Sequence, residues 1–371
     1  MHLKPCGLLW GRSAREAAHC GVGGLIAGAT TGFTAVEIIE RQGSGSCRRW
    51  LSYGALKGSR EAALAERLAL IEAPRPAVAG LDWAQPCIMG VINVTPDSFS
   101  DGGHTPEPGT AISHGRSLAE AGATVLDVGG ESTRPFADPL PLAEERARAL
   151  PVVEALARDG HLVSIDTRKG AIMRAAVAAG ARIVNDVSAL SHDPDSLAAV
   201  RELDVPVVLM HSQGDPETMQ VAPRYDDVAL DVFDALAARI AECEAAGIER
   251  ARIIADPGIG FGKTYEHNAE LLGALTLFHG LGVPLIVGAS RKGFIGKLTG
   301  EKVAARRVAG SLGAAVAIVM QGVQMVRVHD VAETRQALAV WQAAMHETAL
   351  RPPTSPRTVA SPREGQGQGG D

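Results

Sequence analysis

Eight short apolar runs, each followed by a polar residue and a loop, recur from residue 87 to residue 330. The runs cover residues 87–95, 124–130, 162–167, 183–188, 206–211, 253–258, 284–290 and 325–330. Stretches rich in alanine and leucine, with apolar residues at helical spacing, separate most of them. Continuous apolar strands that alternate with helices indicate a parallel sheet covered on both faces. Eight such units over about 250 residues predict a (β/α)8 TIM barrel of the α/β class.

The polar residues near the ends of the runs fall where a barrel of this kind builds its active site. They are Asn93, Asp127, Asp166, Asn185, His211, Asp256, Ser290 and His329. In a TIM barrel the carboxyl ends of the strands converge on one face, and catalytic residues come from several of them. The pattern therefore predicts an enzyme.

The chain divides into three predicted regions. Residues 1–80 are expected to form a small α+β extension packed on the barrel, with helices near 13–19 and 61–71, apolar runs at 25–27 and 33–39, and a turn at 43–46. A disordered leader is the alternative, although the region is more apolar than typical disorder. Residues 81–350 are the predicted barrel. Residues 351–371, rich in Pro, Ser, Gly and Gln, are a predicted disordered tail.

Helices of the barrel are predicted at 109–121, 143–158, 169–178, 227–246, 267–277, 304–321 and 331–348. A glycine follows four of the helical stretches, as is typical of helix C-termini; these are Gly122, Gly180, Gly247 and Gly322.

Composition excludes several classes of function. The net charge of −6 and the aromatic content of 4% argue against nucleic-acid binding and against binding to anionic membranes. The five cysteines have no CxxC spacing, which indicates neither a zinc site nor a disulfide framework. No signal peptide or transmembrane span is recognised, so a cytoplasmic location is expected.

The loops after the first two runs carry many polar groups. Residues 93–103 offer an amide, hydroxyls and two carboxylates, followed by a glycine pair suited to a mobile lid; an ordinary Asx-type turn is the alternative. Residues 129–135 place the Arg134 guanidinium beside the hydroxyls of Ser132 and Thr133. A solvated surface arginine is the alternative for this second loop.

Three later strand ends carry Asp166, Asn185 and Asp256. A buried acid or amide is costly unless a partner hydrogen-bonds to it. A flat heterocycle with an amidine-like edge, such as a pterin, would supply matched donors. For Asp166 and Asn185, capping of the following helix is the alternative.

The residues at the ends of the seventh and eighth strands favour the binding of an anion. Arg327 and His329 are two residues apart on a strand and so point the same way, either both into the barrel mouth or both outward. With Ser290 they lie at the seventh and eighth strands, where barrels of this class often bind phosphate; a structural role for His329 is the alternative. The segment 256–264 lacks the GxxxxGK[ST] spacing of a nucleotide-binding loop. Its glycines are expected to let the backbone approach a ligand, with Phe261 and Met210 as apolar walls.

Taken together, these motifs resemble the dihydropteroate synthase family over residues 86–345. The resemblance rests on segments 89–100, 129–135, 165–167, 185–186, 209–211, 256–258, 290–292 and 327–330, in this order at successive strand ends. The family transfers a dihydropterin-methyl group: it joins p-aminobenzoate to 6-hydroxymethyl-7,8-dihydropterin pyrophosphate and releases pyrophosphate. The resemblance further implies Mg²⁺ as cofactor, sensitivity to sulfonamides as a class of inhibitor, and a homodimer formed by helices near the end of the chain.

The resemblance also implies roles for individual residues. The pterin is held by Asp166, Asn185, Asp256 and Lys292 and lined by Met210 and Phe261. The pyrophosphate is bound by Asn93, Arg327 and His329, with Asn93 near Mg²⁺. The p-aminobenzoate is covered by Phe99, Ser132, Thr133, Arg134 and Pro135. Catalysis is assigned to Asp166, Lys292, Asn93, Arg327 and His329, with the C–O bond breaking ahead of amine attack and no protein nucleophile.

Two positions depart from the family pattern. Phe136 follows Pro135 where relatives usually carry glycine, and Gly293 follows Lys292 where some relatives place serine. Both changes bear on p-aminobenzoate recognition. Two other functions are considered: a pterin-binding methyltransferase module, against which the predicted pyrophosphate site argues, and a non-catalytic paralogue, against which the intact first two loops argue.

Overall fold

A computed structural model of the chain describes residues 1–43, 45–95, 108–132, 140–214, 219 and 221–346. The chain begins with an antiparallel sheet. Its strands are β1 (His2–Trp10), β2 (Gly24–Leu25), β3 (Thr31–Gln42) and β4 (Gly45–Ser52). The central strand, β3, pairs with the other three. Helices α1 (Gly11–His19), α2 (Tyr53–Lys57) and α3 (Ala62–Glu72) complete an α+β extension, which confirms the predicted class.

Two strands of the extension did not follow from its sequence. β1 contains Pro5, which removes a backbone donor and is found mainly in edge strands, and β1 does pair with β3 on one side only. β4 is largely exposed and carries Arg48, Arg49 and Trp50. Its strand conformation follows from pairing with β3 rather than from an apolar pattern.

The extension contacts the barrel through charged and polar side chains. Arg41 pairs with Asp231 and Asp234 at 2.7 and 2.9 Å, and the buried His2 lies 2.7 Å from Asp234. The Trp10 indole donates to the Met320 carbonyl at 2.9 Å. These contacts join the extension to the helical layer of the barrel; the domain boundary at residue 80 stays a prediction.

Eight parallel strands follow and confirm the predicted barrel. They are β5 (Cys87–Asn93), β6 (Val125–Gly129), β7 (Val163–Asp166), β8 (Ile183–Asp186), β9 (Val207–Met210), β10 (Ile253–Asp256), β11 (Ile286–Val287) and β12 (Met325–Val328). Their order in the sheet is β10-β9-β8-β7-β6-β5-β12-β11. A parallel bridge between Ala255 and Leu285 joins the two ends and closes the barrel.

The helices of the barrel surround this sheet. They are α4 (Pro108–Ala121), α5 (Leu142–Arg158), α6 (Gly170–Ala178), α7 (Ser196–Leu203), α8 (Val228–Ala245), α9 (Tyr265–Leu272), α10 (Gly293–Thr299), α11 (Val308–Met320) and α12 (Val331–His346). Gly122, Gly180, Gly247 and Gly322 all have positive φ angles, as their predicted role at helix ends requires. In the part of the chain that the structure describes, no helix is long and apolar enough to cross a membrane.

Two helical predictions need correction, and two helices of the barrel were not predicted. The predicted helix 267–277 is α9 followed by a separate 3-10 helix, Leu275–Leu281, and the predicted helix 304–321 is a 3-10 turn, Ala304–Arg306, followed by α11. The helices α7 and α10 were not predicted. They have eight and seven residues, too few to show a clear periodicity. Residues 347–371, including the predicted tail, lie outside the described part.

The apolar core has two layers. A large cluster fills the space between the outer face of the barrel strands and the helices. A second cluster fills the amino-terminal half of the barrel and has at least one member in each strand except β7; it includes Met89, Val125, Ile183, Val208, Ile254, Ile286 and Met325. Val78, Leu81 and Trp83 belong to the same cluster, so the segment after the extension closes that end of the barrel. A site inside the barrel must therefore open at the carboxyl ends of the strands.

Candidate active site

The inward apolar residues of the strands are followed, two positions later, by polar ones. Side chains at i and i+2 of a strand share a face, so the residues after Val125, Ile183, Ile254 and Met325 also face into the barrel. Those residues are Asp127, Asn185, Asp256 and Arg327. Asp166 is the register partner of Asn185 in the neighbouring strand. The sequence thus places apolar residues at the bottom of the barrel and polar residues in its mouth.

Arg327 joins three strands through two carboxylates. Its Nε donates to Asp127 Oδ2 at 2.7 Å, and its Nη2 donates to Asp166 Oδ2 at 2.8 Å. Asn185 Nδ2 donates to the same Asp127 oxygen at 3.0 Å. Of the two directions left open for Arg327, into the barrel mouth or outward, these contacts show the inward one. Arg327 is expected to bind the pyrophosphate, but its guanidinium also contacts Asp166, which is expected to bind the pterin.

Asp166 has an unusual environment for a carboxylate. Burial raises the pKa of Asp166, the Arg327 cation opposes this, and the nearby Asp127 raises it further. One of its oxygens, Oδ1, is buried and has no hydrogen-bond partner within the described part of the chain. A buried acceptor without a partner is costly, so this oxygen is suited to a donor on a ligand.

Asp256 and Lys292 form a second charged pair in the mouth. Burial raises the pKa of Asp256, and the Lys292 cation opposes it; the Gly258 amide donates to Asp256 Oδ1 at 2.8 Å. Burial lowers the pKa of Lys292 to about 8, and Asp256 opposes that shift. The Lys292 ammonium bonds the Ile259 carbonyl and lies 4.5 Å from the centre of the Phe261 ring. Phe261 is thereby held beside the two charges.

Two glycines of the loop 258–262 are required by contacts within the protein, and the predicted approach of this backbone to a ligand stays a prediction. A Cβ on Gly258 would lie 1.9 Å from the His211 carbonyl oxygen, and one on Gly262 would lie 2.4 Å from that of Gln213. Both residues also have positive φ angles, 71° and 61°. The close approach that excludes a side chain is therefore to the loop after β9, which a single sequence cannot reveal.

The residues expected at the anion end lie on neighbouring strand ends. His329 Nδ1 lies 3.1 Å from Ser290 Oγ, and the His329 amide donates to the same oxygen at 3.2 Å. Arg291 pairs with Asp330, which fixes the two loops to each other. Asn93 ends β5 and is partly buried. Met210 ends β9 opposite Asp256 and is 4% exposed, as expected of a wall.

Much of the predicted p-aminobenzoate site lies outside the described residues. Phe99, Thr133, Arg134 and Pro135 belong to this group, as does the departure Phe136. Ser132 is described and is partly buried. Gly293 is the first residue of α10, and a Cβ there would meet no atom within 4 Å, so its lack of a side chain leaves open space.

Two buried charged residues in this region received no predicted role. Asp127 is fully buried and accepts bonds from both Arg327 and Asn185; its position two residues after an inward valine is the signal that identifies it. Lys263 is 2% exposed, and no pattern in the sequence distinguishes it from a surface lysine.

The described residues form no metal site made of protein carboxylates. Among the described residues there is no group of three or more His, Cys, Asp or Glu side chains arranged to hold a metal ion. The amide oxygen of Asn93 is a hard donor of the kind that Mg²⁺ accepts. A single protein oxygen fits an ion whose other ligands come from a substrate and water.

Comparison with known proteins agrees with this geometry. Residues 89–329 match the family model described as pterin binding enzyme. The dihydropteroate synthase of Escherichia coli K12 is 47% identical over 266 residues, which is 71% of this chain and 94% of that protein. The enzyme of Neisseria meningitidis serogroup B is 50% identical over 269 residues, with the same coverage.

Solved structures with the same fold contain ligands. Dihydropteroate synthase of Xanthomonas albilineans with 4-aminobenzoic acid matches with a TM-score of 0.69 and 50% identity, over 73% of this chain and 98% of that one. The same enzyme with 7,8-dihydropteroate gives a TM-score of 0.66 and 47% identity, with the same coverage. Yersinia pestis dihydropteroate synthase with a sulfonamide drug gives 0.68 and 44%, over 71% and 96%.

Proposed function

The chain belongs to the dihydropteroate synthases of the pterin-binding enzyme family, and from this premise we propose how its residues carry out the reaction. The reaction joins p-aminobenzoate to 6-hydroxymethyl-7,8-dihydropterin pyrophosphate and gives 7,8-dihydropteroate and pyrophosphate. The observation that carries the proposal is the pair of buried carboxylates at the ends of β7 and β10, Asp166 and Asp256, with Asn185 and Lys292 in the same barrel mouth.

The pterin binds deep in the mouth. Asp256 and the free Oδ1 of Asp166 accept hydrogen bonds from ring N–H groups, and Asn185 donates or accepts at the ring edge. Lys292 donates to a ring acceptor, while Met210 and Phe261 contact the two faces. The buried Oδ1 of Asp166 then has a partner, which offsets the cost of its burial.

Charge stabilises the transition state. When the C–O bond to the exocyclic methylene breaks, positive charge spreads over the pterin and negative charge leaves on the pyrophosphate. The Asp166 carboxylate, aligned by Arg327 at 2.8 Å, stabilises the pterin cation. Arg327 and His329 bind the pyrophosphate leaving group. The neutral arylamine then attacks the methylene and loses its proton, so no protein nucleophile is needed.

Mg²⁺ would be held by the Asn93 amide oxygen and by pyrophosphate oxygens. It supplies charge neutralisation at the leaving group. Supporting this, Asn93 ends β5 at the face where the anion-binding residues lie. A titration tests it: Asn93→Ala should raise the Mg²⁺ concentration needed for half-maximal turnover, and an unchanged requirement would contradict the assignment.

The first two loops, through Phe99, Ser132, Thr133, Arg134 and Pro135, close over the p-aminobenzoate. We also place the enzyme in the cytoplasm as a homodimer. Exposed apolar side chains on or next to the last three helices support this interface; they are Leu298, Val303 and Val340, with exposed fractions of 62%, 49% and 72%. Light scattering should give twice the chain mass of 38.6 kDa, and a monomer at micromolar concentration would contradict the interface.

Growth of a bacterium without its own dihydropteroate synthase tests the function in a cell. The wild-type chain should restore growth in the absence of folate end products, and a sulfonamide should abolish that growth. The Asp166→Asn variant serves as the inactive control. Failure of the expressed, folded wild-type chain to restore growth would contradict the proposed function.

A further inference from the structure

Lys263 is a buried cation with an unusual set of partners. Its Nζ donates to the carbonyl oxygens of Gly258 at 2.9 Å and Phe261 at 3.0 Å. It also lies 3.0 Å from His211 Nδ1. Its hydrogen bonds thus go to carbonyl oxygens and an imidazole, and the side chain is 2% exposed.

Burying this ammonium is costly. Burial lowers the pKa of Lys263 to about 7; Asp256 opposes that shift, while the Lys292 cation adds to it. Burial also lowers the pKa of His211 to about 3, so the imidazole is neutral and its Nδ1 accepts a hydrogen bond from the Lys263 ammonium. A methionine would fill the same space without the cost of desolvation, so what the lysine adds is the set of hydrogen bonds that its Nζ makes.

The groups that Lys263 binds belong to one loop and one neighbouring strand end. Residues 258–262 form the loop after β10, and His211 follows β9. Tyr225 adds a further tie, since its hydroxyl donates to the Gly262 carbonyl at 2.8 Å. Three of the five residues of this loop are glycines with positive φ angles. Glycine leaves the backbone many conformations, so the conformation of the loop depends strongly on such hydrogen bonds from side chains.

The other side of the same loop faces the pterin site. Its Ile259 carbonyl accepts from Lys292, its Gly258 amide donates to Asp256, and its Phe261 ring lies beside the Lys292 ammonium. A shift of the loop would therefore move the partners of two residues expected to hold the pterin, and the aromatic wall with them.

We propose that Lys263 is a positioning residue for the pterin half of the site: its ammonium fixes the loop 258–262 so that Phe261, Asp256 and Lys292 meet the ring. The inference rests on the proposed function. It also explains why the Gly-Lys-Thr ending of this segment is not a phosphate loop, since the Lys263 ammonium points into the carbonyls of its own loop.

Steady-state kinetics of Lys263→Met test the proposal. The substitution keeps the length of the side chain and removes the charge and the donors. We expect KM for the dihydropterin pyrophosphate to rise at least tenfold, while KM for p-aminobenzoate stays within twofold. The dissociation constant of 6-hydroxymethylpterin, measured by calorimetry, should rise by a similar factor. Lys297→Met, which alters an exposed lysine of α10, should change none of these values.

Several results would overturn the proposal or contradict the proposed function. A folded Lys263→Met protein with unchanged pterin binding, or with equal rises in both KM values, would overturn the proposal, because a merely structural role predicts no selectivity. If that variant does not fold, Lys263→Arg is measured instead; a smaller, pterin-selective rise is expected, and no rise or an unselective one overturns the proposal. Wild-type protein that neither binds pterin nor turns over would contradict the proposed function itself.

Discussion

Replacing Asp166 by asparagine removes one negative charge from the barrel mouth and keeps a side chain of nearly the same size. In the wild type this carboxylate accepts from Arg327 Nη2 at 2.8 Å and keeps a second oxygen free for the pterin. The amide can still accept from Arg327, and Arg327 retains Asp127 at 2.7 Å. The variant should therefore fold, with a loss of unfolding free energy of at most about 3 kcal/mol, the value of a hydrogen bond to a charged group.

The loss of rate is estimated from the missing charge. A carboxylate about 4 Å from a developing cation contributes about 4 kcal/mol at an effective dielectric constant of about 20. This corresponds to a fall in kcat of about a thousandfold, at about 1.4 kcal/mol for each factor of ten. The ground-state pterin is neutral, so its KM should change much less than kcat.

The assay measures labelled dihydropteroate formed by purified Asp166→Asn protein, with circular dichroism as the check on folding. Asp195→Asn, which alters an exposed carboxylate paired with Arg174, should keep wild-type turnover. A folded Asp166→Asn protein with kcat within threefold of the wild type would refute the idea that this charge stabilises the transition state.

Two further perturbations follow from the structure. Burial lowers the pKa values of His211 and His279 from 6.5 to about 3. Below pH 6.5 the unfolded chain therefore binds two protons that the native protein does not bind. Each of these histidines lowers the free energy of unfolding by about 1.4 kcal/mol for every pH unit below that point. Because the raised pKa values of Asp166 and Asp256 act in the opposite direction over this range, urea unfolding between pH 7 and pH 5 is compared for the wild type and His279→Gln. A wild-type stability that changes with pH in the same way as that of the variant would contradict the contribution assigned to His279. Gly258→Ala places a Cβ 1.9 Å from the His211 carbonyl oxygen, so pterin affinity measured by calorimetry should fall at least tenfold; wild-type affinity would show that the loop packing is unimportant.

The barrel could be predicted from sequence because its signal is local and repeated. Each strand is a short apolar run and each helix a periodic one, so the eight units appear without knowledge of their contacts. β4 lacks this signal: it is an exposed polar segment that becomes a strand only by pairing with β3. β1, with Pro5 inside it, also has no local strand pattern.

The site could be predicted in part. The ends of the strands and the alternation of side chains place Asp166, Asn185, Asp256 and Arg327 in the barrel mouth. Partners could not be predicted, because they are far apart in sequence: Arg327 meets Asp127 across 200 residues. The bonds of Lys263 likewise depend on the turn that its own loop makes.

Turnover by the purified wild-type protein tests the central claim most directly. The protein is supplied with dihydropterin pyrophosphate, labelled p-aminobenzoate and Mg²⁺, and both labelled dihydropteroate and released pyrophosphate are measured. The account predicts equal amounts of the two products, with turnover lost when Mg²⁺ is chelated or a sulfonamide competes. Folded protein that binds 6-hydroxymethylpterin but forms no dihydropteroate would contradict it.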